Sequence, residues 1–390
     1  MQPSSASSSP FPGILLMGPP NCGKSVLAHW LTRQLWQRRV AHFLLRTAPD
    51  GEGNWFYEGE PEAVIPLRLD HKGRYTPELV REMLRVVRER HLPLLVDMGG
   101  KPRGEQRKLM TVCTHGILLY RTEEQRAQWH QWLSEEHSPL RLIAELRSDL
   151  DAVERIETTV PLLRGVIGGL RRHPPYRPGL VAQALLERLA DLLGYDEATL
   201  AAYHAQTAPE GADFLHLDDL ARALGQEVPH WWTPEELPAA LAHLTPKPYA
   251  LYGRGPVWLT ASIAAHLAPH PVWLFDMHFG WIPLPEVVPE PRPPWLLTLR
   301  ERGLADEVSV TLEEPFVHWG TLPWRGPRKG SRGVILSGKL PRWAFAAWVR
   351  YLQPSRPWIA IYDPRFLGAV VVASGDGRPA VGSLIPLAGR

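Results

Sequence analysis

The sequence has little of what would indicate a secreted or membrane protein. Of its 390 residues only two are cysteines, Cys22 and Cys113, too few for a disulfide framework and consistent with a reducing cytoplasm. No stretch approaches the roughly 18 to 20 apolar residues that cross a bilayer, so we expect no membrane partner. Residues 1–12 lack both a charged region and a long apolar run. This start predicts a disordered tail rather than a signal peptide.

The chain also lacks an excess of charge of either sign. Its 43 basic residues nearly balance its 41 acidic ones, so no global positive field attracts nucleic acid, and we expect no duplex partner. Any anionic ligand therefore needs a local site. The apolar share of 44% and the charged share of 22% are those of a globular protein. At roughly 150 residues per domain, the length predicts two or three domains.

Alternating patterns predict an α/β protein. Residues 13–173 alternate short apolar runs with helical periodicity, which indicates a doubly wound parallel sheet. The apolar runs predict buried strands at 13–17, 41–45, 94–98, 116–120 and 140–144. Residues 174–244 are predicted to form a helical connector. Beyond it, residues 245–292 and 293–390 predict two further α/β modules, which we expect to pack as a pseudo-dimer.

A phosphate-binding loop is the strongest motif in the chain. GPPNCGKS spans Gly18 to Ser25 between a predicted strand and a predicted helix, which is the context that this pattern requires. Gly18 and Gly23 permit the tight turn, and the helix N-terminus favours negative charge. Lys24 would reach the β- and γ-phosphates, and Ser25 would bind Mg²⁺. The motif predicts that this domain binds ATP with Mg²⁺.

Two carboxylates near the predicted loop are candidates for the same site. Asp97 follows the apolar run 94–96, where it would hold Mg²⁺ with Ser25 or act as a capping residue. Asp50 follows the second predicted strand in RTAPDGEGNW, where it would face the γ-phosphate or lie in a solvent-exposed turn. The sequence leaves both pairs of alternatives open.

An internal repeat dominates the C-terminal part. The segment from Tyr252, YGRGPVWLTASIAAHLAPHPVWLFDMHFGW, aligns with the segment from Ser337, SGKLPRWAFAAWVRYLQPSRPWIAIYDPRFLGA. The aligned pairs are Gly253 with Gly338, Pro256 with Pro341, Trp258 with Trp343, and Asp276 with Asp363. Each copy predicts a strand, a glycine turn, a helix, a second strand and an aspartate just past its end. Repetition of such a unit predicts two packed copies.

The repeat carries candidate catalytic and phosphate-binding residues. In the first copy His266, Asp276 and His278 are suited to proton transfer or metal binding, and Asp276 is the candidate metal ligand. Their spacing matches no recognised ligand pattern, and lone histidines are more often structural. In the second copy Asp363 takes the aspartate position. The candidate contacts to phosphate, each of which could equally be a solvated charge, are Arg254, Lys339 and Arg365.

The segments RGVILSGKLPRW and WIAIYDPRFLGAVVVASG, within residues 332–375, resemble the Csx-three family of CRISPR-associated ring nucleases from type III systems. YGRGPVWL and FDMHFGW resemble it more distantly. GPPNCGKS, LLRTAPDGEGNW, LLVDMGGKP and CTHGILLYRTEEQRAQWHQWL resemble the P-loop domain fused to such modules. The resemblance implies manganese-dependent cleavage of cyclic tetra-adenylate, a second messenger, by modules that assemble as pairs.

The resemblance also implies which residues line the site. A family histidine on the helix and an aspartate past the next strand correspond to His266 and Asp276, whereas the second copy keeps Asp363 and Arg365 but has Arg350 near the histidine position. Neither copy holds the complete set. Three hypotheses follow: a ring nuclease coupled to an ATP-binding domain, a degenerate sensor or sequestering protein, and a P-loop kinase or ATPase with a structural C-terminal half. Pairing between chains as a homo-oligomer is open.

Overall fold

The structure is a computed structural model that describes residues 9–47, 77–171, 175–289, 295–303, 305–312, 321–324, 329–338 and 340–387. The chain divides into two compact units, the first comprising Met1–Leu200 with Met277–Phe279 and the second comprising Ala201–Asp276 with Gly280–Arg390. Both contain helices and mixed or parallel sheets, so the α/β class predicted from the sequence is confirmed. None of the described helices has the length and apolar character needed to span a bilayer.

The first unit is built on a seven-stranded sheet in the order β2-β3-β1-β4-β5-β7-β6. All neighbours are parallel except β6, which runs antiparallel to β7. The strands are β1 (Gly13–Met17), β2 (Phe43–Arg46), β3 (Leu94–Asp97), β4 (His115–Tyr120), β5 (Arg141–Asp149), β6 (Arg155–Thr158) and β7 (Leu163–Gly168). The helices are α1 (Lys24–Gln37), α2 (Pro77–Arg88), α3 (Leu109–Val112), α4 (Glu123–Glu135), α5 (Leu180–Leu193) and α6 (Glu197–Gln206), the last of which crosses into the second unit.

The central strand shows why the sheet is covered on both faces. Every residue of β1 is buried, and successive residues alternate between two hydrophobic clusters: Ile14 and Leu16 in one, Leu15 and Met17 in the other. Because side chains alternate along a strand, an unbroken apolar run must have a cover on each face. One cluster includes α1 and α5, and the other includes α2, α3 and α4.

The two ends of the first unit are anchored by specific contacts. Residues 9–12, which the sequence analysis assigned to the tail, belong to this unit, because Phe11 is 2% exposed and packs edge-on against Tyr195 with a centroid distance of 5.2 Å. The carboxylate of Glu154 caps the start of helix α5, because its Oε2 accepts a hydrogen bond from the backbone N–H of Val181 at 2.8 Å. It ends at Gly194, whose φ of 45° is left-handed.

The second unit contains two sheets with corresponding topology. In the first sheet β8, β9 and β10 are parallel and β11 is antiparallel to β10. In the second sheet β14, β16 and β17 are parallel and β18 is antiparallel to β17, while β13 and β19 form the two edges. The strands of the first sheet are β8 (Asp213–His216), β9 (Tyr249–Tyr252), β10 (Val272–Asp276) and β11 (Gly280–Pro283). Those of the second are β13 (Trp295–Arg302), β14 (Ala305–Leu312), β16 (Gly333–Gly338), β17 (Trp358–Asp363), β18 (Gly368–Ser374) and β19 (Leu384–Pro386).

Helices pack between the two sheets of the second unit. They are α7 (Leu217–Ala223), α8 (Leu237–Ala242), α9 (Val257–His266) and α10 (Arg342–Leu352), and a parallel pair of short strands, β12 (Glu286–Pro289) and β15 (Thr321–Trp324), lies beside α10. Helices α9 and α10, one from each copy of the repeat, pack against each other, and α9 also packs on β17 and β18 of the other copy. The boundary between the two compact units, after Leu200, falls inside the predicted connector 174–244.

Candidate functional sites

The loop between β1 and α1 adopts a conformation that requires glycine at two positions. Gly18 has φ +142° and Gly23, which caps α1, has φ +84°. A Cβ added at Gly18 would lie 2.1 Å from the carbonyl oxygen of Leu119, and one at Gly23 would lie 2.5 Å from Cβ of Leu170. The glycines therefore serve both the turn and the close approach of neighbouring chain, as expected where backbone N–H groups must surround an anion.

Lys24 lies over this loop. Its side chain is 7% exposed, and Nζ donates hydrogen bonds to the carbonyl oxygens of Gly18 at 2.9 Å and Pro19 at 2.8 Å. Nζ also lies 3.7 Å from Sγ of Cys22. Burial raises the pKa of the Cys22 thiol more than the charge of Lys24 lowers it, so the thiol stays protonated at neutral pH.

Ser25 and Asp97 are brought together by the sheet. Oγ of Ser25 donates to Oδ2 of Asp97 at 2.9 Å, and the carboxylate, at the carboxyl end of β3, is 6% exposed. A hydroxyl beside a strand-end carboxylate, next to a loop that can hold phosphates, is a donor set that fits Mg²⁺, which usually takes one or two carboxylates together with substrate phosphates. The second predicted carboxylate, Asp50, lies outside the described residues.

The carboxyl ends of β1, β2 and β3 are fixed to one another around this pair. Thr47, after β2, donates to the carbonyl oxygen of Asp97 from both its backbone nitrogen at 3.1 Å and its Oγ1 at 3.2 Å. After β3, a Cβ added at Gly100 would lie 2.4 Å from the backbone nitrogen of Pro20, so the two loops touch. Ligands of open α/β sheets bind at this edge, where the order of strands changes direction.

In the second unit the two copies of the repeat share their turn and helix start. Gly253 after β9 has φ +94° and Gly338 at the end of β16 has φ +120°, and both face the carboxyl end of the preceding parallel strand. Pro256 and Pro341 cap α9 and α10 with nearly the same dihedral angles, φ −66° with ψ 154° and φ −58° with ψ 151°. The following tryptophans, Trp258 and Trp343, are each 1% exposed.

The aspartate of the second copy, Asp363, accepts hydrogen bonds from two residues. Asp363 is 8% exposed and accepts from Nε1 of Trp258, in the other copy, at 3.0 Å. It also accepts from Arg365, from Nε at 3.1 Å, Nη2 at 2.6 Å and the backbone nitrogen at 3.0 Å. Burial raises the pKa of Asp363, but the hydrogen bonds and charge of Arg365 and the bond from Trp258 outweigh it, so the pKa lies below 3.8. This carboxylate holds two groups in place and neutralises Arg365.

The aspartate of the first copy has a different neighbour. Asp276, half-buried at the end of β10, interacts electrostatically with Arg342, whose Nη1 donates to the carbonyl oxygen of Gly253 at 2.9 Å. Burial lowers the pKa of Arg342 and Asp276 opposes that shift. Arg342 was not among the residues predicted from the sequence, although it stands between the aligned Pro341 and Trp343, because the first copy has Val257 at the matching position.

The remaining predicted residues are dispersed. His266 is exposed at the end of α9, near the amino edge of its sheet, whereas Asp276 ends β10, so the length of that strand, roughly 13 Å at about 3.3 Å per residue, separates them. The structure therefore does not bring these two residues together within the copy. His278 belongs to the first unit, where its ring contacts Phe43 edge-on at 5.2 Å. Arg254 is exposed in the turn after β9, and Lys339 lies outside the described residues.

A resident Mn²⁺ does not fit the described part of the second unit. No group of three or more His, Cys, Asp or Glu side chains that could hold a metal occurs among the described residues. The cation Arg342 interacts with Asp276 and disfavours a second cation there, and Asp363 already pairs with Arg365.

Comparison with known proteins identifies one region. Residues 326–386 match the family model described as CRISPR-associated protein (Cas_csx3). The matched segment contains α10, β17 and β18, and therefore Asp363 and Arg365. No curated protein matches the chain. The match supports a CRISPR-related function.

Proposed function

Because residues 326–386 match a CRISPR-associated family, we propose that the protein binds and cleaves a cyclic oligoadenylate, cyclic tetra-adenylate. We further propose that its first unit binds ATP with Mg²⁺ and that this binding is coupled to the cleavage. The proposal for the C-terminal half of the chain rests on the pairing of the two copies of the repeat. Both copies have the same strand, glycine turn and helix start, and in each the second strand ends at an aspartate. A paired arrangement suits a ring-shaped ligand with repeated phosphates.

The chemistry is assigned to the first copy. Asp276 accepts the proton of a ribose 2′-hydroxyl, whose oxygen forms a bond to the adjacent phosphorus. The bond from phosphorus to the 5′ oxygen breaks, and that oxygen takes a proton from water. Arg342, beside Asp276, and Arg254, in the turn after β9, stabilise the negative charge that develops on the phosphate. This scheme uses side chains alone and routes no step through a metal.

The N-terminal half of the proposal rests on the contact between Ser25 and Asp97 at 2.9 Å beside the glycine loop. On binding, the phosphates of ATP take up the backbone N–H groups of the loop, and Nζ of Lys24 moves from the carbonyl oxygens of Gly18 and Pro19 to the phosphate oxygens. Ser25 and Asp97 would hold Mg²⁺, which neutralises phosphate charge when bound.

A second candidate function is sensing or sequestration of the ring without cleavage. It is favoured by one observation: the aspartate of the copy that matches the family is occupied by Trp258 and Arg365, which gives Asp363 a positioning role. Under this alternative both copies bind the ligand and neither cleaves it.

The two functions are separated by incubating the full-length protein with radiolabelled cyclic tetra-adenylate, with and without Mn²⁺ and ATP. We expect linear products with the parent protein and with Glu210→Gln, an exposed control in the same unit, and at least tenfold slower cleavage with Asp276→Asn. Retained binding without linear products would support the sensor. Neither binding nor cleavage would refute both, and a strict requirement for Mn²⁺ would refute the metal-free scheme.

A further inference from the structure

The strand that precedes the first copy of the repeat, β8, ends in a histidine at the carboxyl edge of its sheet. His216 is the last residue of β8 and pairs in register with Tyr252 of β9, the residue before the turn glycine. The corresponding strand of the second copy, β14, pairs Ser309 with Ser337, again the residue before the turn glycine. The repeat therefore includes a strand outside the aligned segments, and its first copy has an imidazole where the second has a hydroxyl.

The imidazole of His216 lies against the turn that carries the candidate site. A Cβ added at Gly253 would lie 3.0 Å from Cε1 of this ring and 3.5 Å from its Nε2. The carbonyl oxygen of Gly253 accepts from Nη1 of Arg342 at 2.9 Å, and Arg342 interacts electrostatically with Asp276. Gly253 thus stands between the imidazole and the two side chains to which the cleavage is assigned.

A hydrogen bond to the backbone determines which nitrogen of this ring carries the proton. Nδ1 of His216 accepts from the backbone N–H of Asp218 at 3.1 Å, a bond that caps α7, whereas the carboxylate of Asp218 lies 4.0 Å away. A ring nitrogen that accepts a hydrogen bond has no proton, so in the neutral imidazole the proton lies on Nε2. Nε2 makes no hydrogen bond to the part of the chain that the structure describes, and the side chain is 18% exposed. The donor is therefore open to a ligand.

Aromatic neighbours hold the ring in this position. The ring centroid of Tyr252 lies 5.2 Å and that of Phe214 6.5 Å from the imidazole of His216. Tyr252 in turn contacts Phe275 at 5.0 Å and Trp281 at 6.2 Å. A donor that is fixed by packing and by a backbone bond needs little reorganisation when a ligand binds, which is what stabilisation of a transition state requires.

We propose that Nε2–H of His216 donates a hydrogen bond to a non-bridging oxygen of the phosphate that is cleaved. Negative charge builds up on that oxygen when the 2′ oxygen attacks, so a fixed donor stabilises the transition state more than the bound ring. Arg342 and Arg254 supply positive charge, whereas the neutral imidazole supplies a directed bond. The bonds that form and break are those of the cleavage itself, and His216 transfers no proton. The inference rests on the ring cleavage proposed above.

Two substitutions in the full-length protein separate this role from the cap on α7. His216→Asn keeps an acceptor near the Nδ1 position, where asparagine is a favoured cap, and removes Nε2–H. His216→Gln places an amide N–H near the Nε2 position and gives up the cap. We expect kcat for cyclic tetra-adenylate to fall about 100-fold in His216→Asn with unchanged thermal unfolding, and to be partly restored in His216→Gln. A structural role alone predicts the opposite order. His243→Asn, the same change at an exposed residue of this unit, is the matched control and should alter neither quantity.

Nuclear magnetic resonance gives a readout that does not depend on cleavage. In the Asp276→Asn protein labelled with ¹⁵N-histidine, cyclic tetra-adenylate should shift the Nε2 signal that His216→Asn removes. Cleavage at the parent rate in His216→Asn would overturn this inference and leave the proposed function standing. Absence of cleavage by the parent protein would overturn the proposed cleavage. An unshifted signal would then overturn the contact as well, whereas a shifted signal would support the contact in a protein that only binds the ring.

Discussion

Replacing Trp258 by phenylalanine tests whether the hydrogen bond between the two copies stabilises the second unit. The change removes the indole N–H that donates to Asp363 at 3.0 Å. A buried hydrogen bond to a charged group contributes about 1.5–3 kcal/mol to the free energy of unfolding. The loss of ring volume adds a further cost that has nothing to do with the bond.

The chain offers a matched control for that volume. Trp343 is at the aligned position of α10, is also 1% exposed, and its Nε1 is buried with no hydrogen-bond partner among the described residues. Trp343→Phe removes the same atoms without breaking a bond. We therefore expect Trp258→Phe to lose about 2 kcal/mol more than Trp343→Phe.

The assay is hydrogen exchange, read on peptides covering 257–266 and 342–352 in increasing denaturant, because exchange reports the stability of this unit separately from the first. At pH 7 equal losses in the two variants, or a larger loss in Trp343→Phe, would refute the reasoning. The pKa of Asp363 is lowered in the folded state, so its contribution is present above the ordinary value of 3.8 and is lost as pH falls through the folded-state pKa. The difference between the variants should shrink over that acid range.

Three further perturbations probe the first unit. Lys24→Ala should raise the Kd for ATP at least tenfold by calorimetry, because a charge-assisted phosphate contact is lost, and an unchanged Kd would exclude the loop as the ATP site. Gly100→Ala should cost about 1–3 kcal/mol in denaturant unfolding because its Cβ would lie 2.4 Å from the backbone nitrogen of Pro20, and a neutral result would contradict that contact. Glu145→Gln should be destabilising by about 3 kcal/mol, because this 1% exposed carboxylate pairs with Arg126, His130 and Arg164. Burial raises the pKa of Glu145, but the hydrogen bonds and charges of Arg126 and His130 lower it by more, so the pKa lies below its ordinary value of 4.5. The stabilisation should therefore be lost as pH falls through the folded-state pKa, and a flat acid profile by thermal unfolding would argue against it.

The sequence alone indicated most of the parallel sheet, because a strand buried on both faces is an unbroken apolar run. Strand β1 is found at the predicted residues, and β3 and β4 are within one residue of prediction. The edge strand β6, Arg155–Thr158, was missed because its residues are mostly polar and exposed, so its pairing with β7 leaves no hydrophobic pattern to detect.

The candidate sites divide in the same way. The tight turn of the glycine loop at residues 18–25 was predictable, since its residues are contiguous and the conformation of a short loop follows from its own glycines. The repeat was visible as well, because both copies keep the glycine, proline and tryptophan that start the helix. The partners of the strand-end aspartates, Asp276 and Asp363, could not be predicted from the sequence, because these contacts form only when distant segments pack.

What the sequence determined, then, is local: where strands alternate with helices, which loop turns tightly on its glycines, and that one supersecondary unit occurs twice. The tertiary structure decided which side chains meet. It joined Trp258 to Asp363, which are 105 residues apart, and it set Arg342 against the strand end of the other copy. It also placed His266 near the amino ends of the strands and Asp276 at their carboxyl ends, because a helix that follows a parallel strand returns to the amino end before the next strand begins.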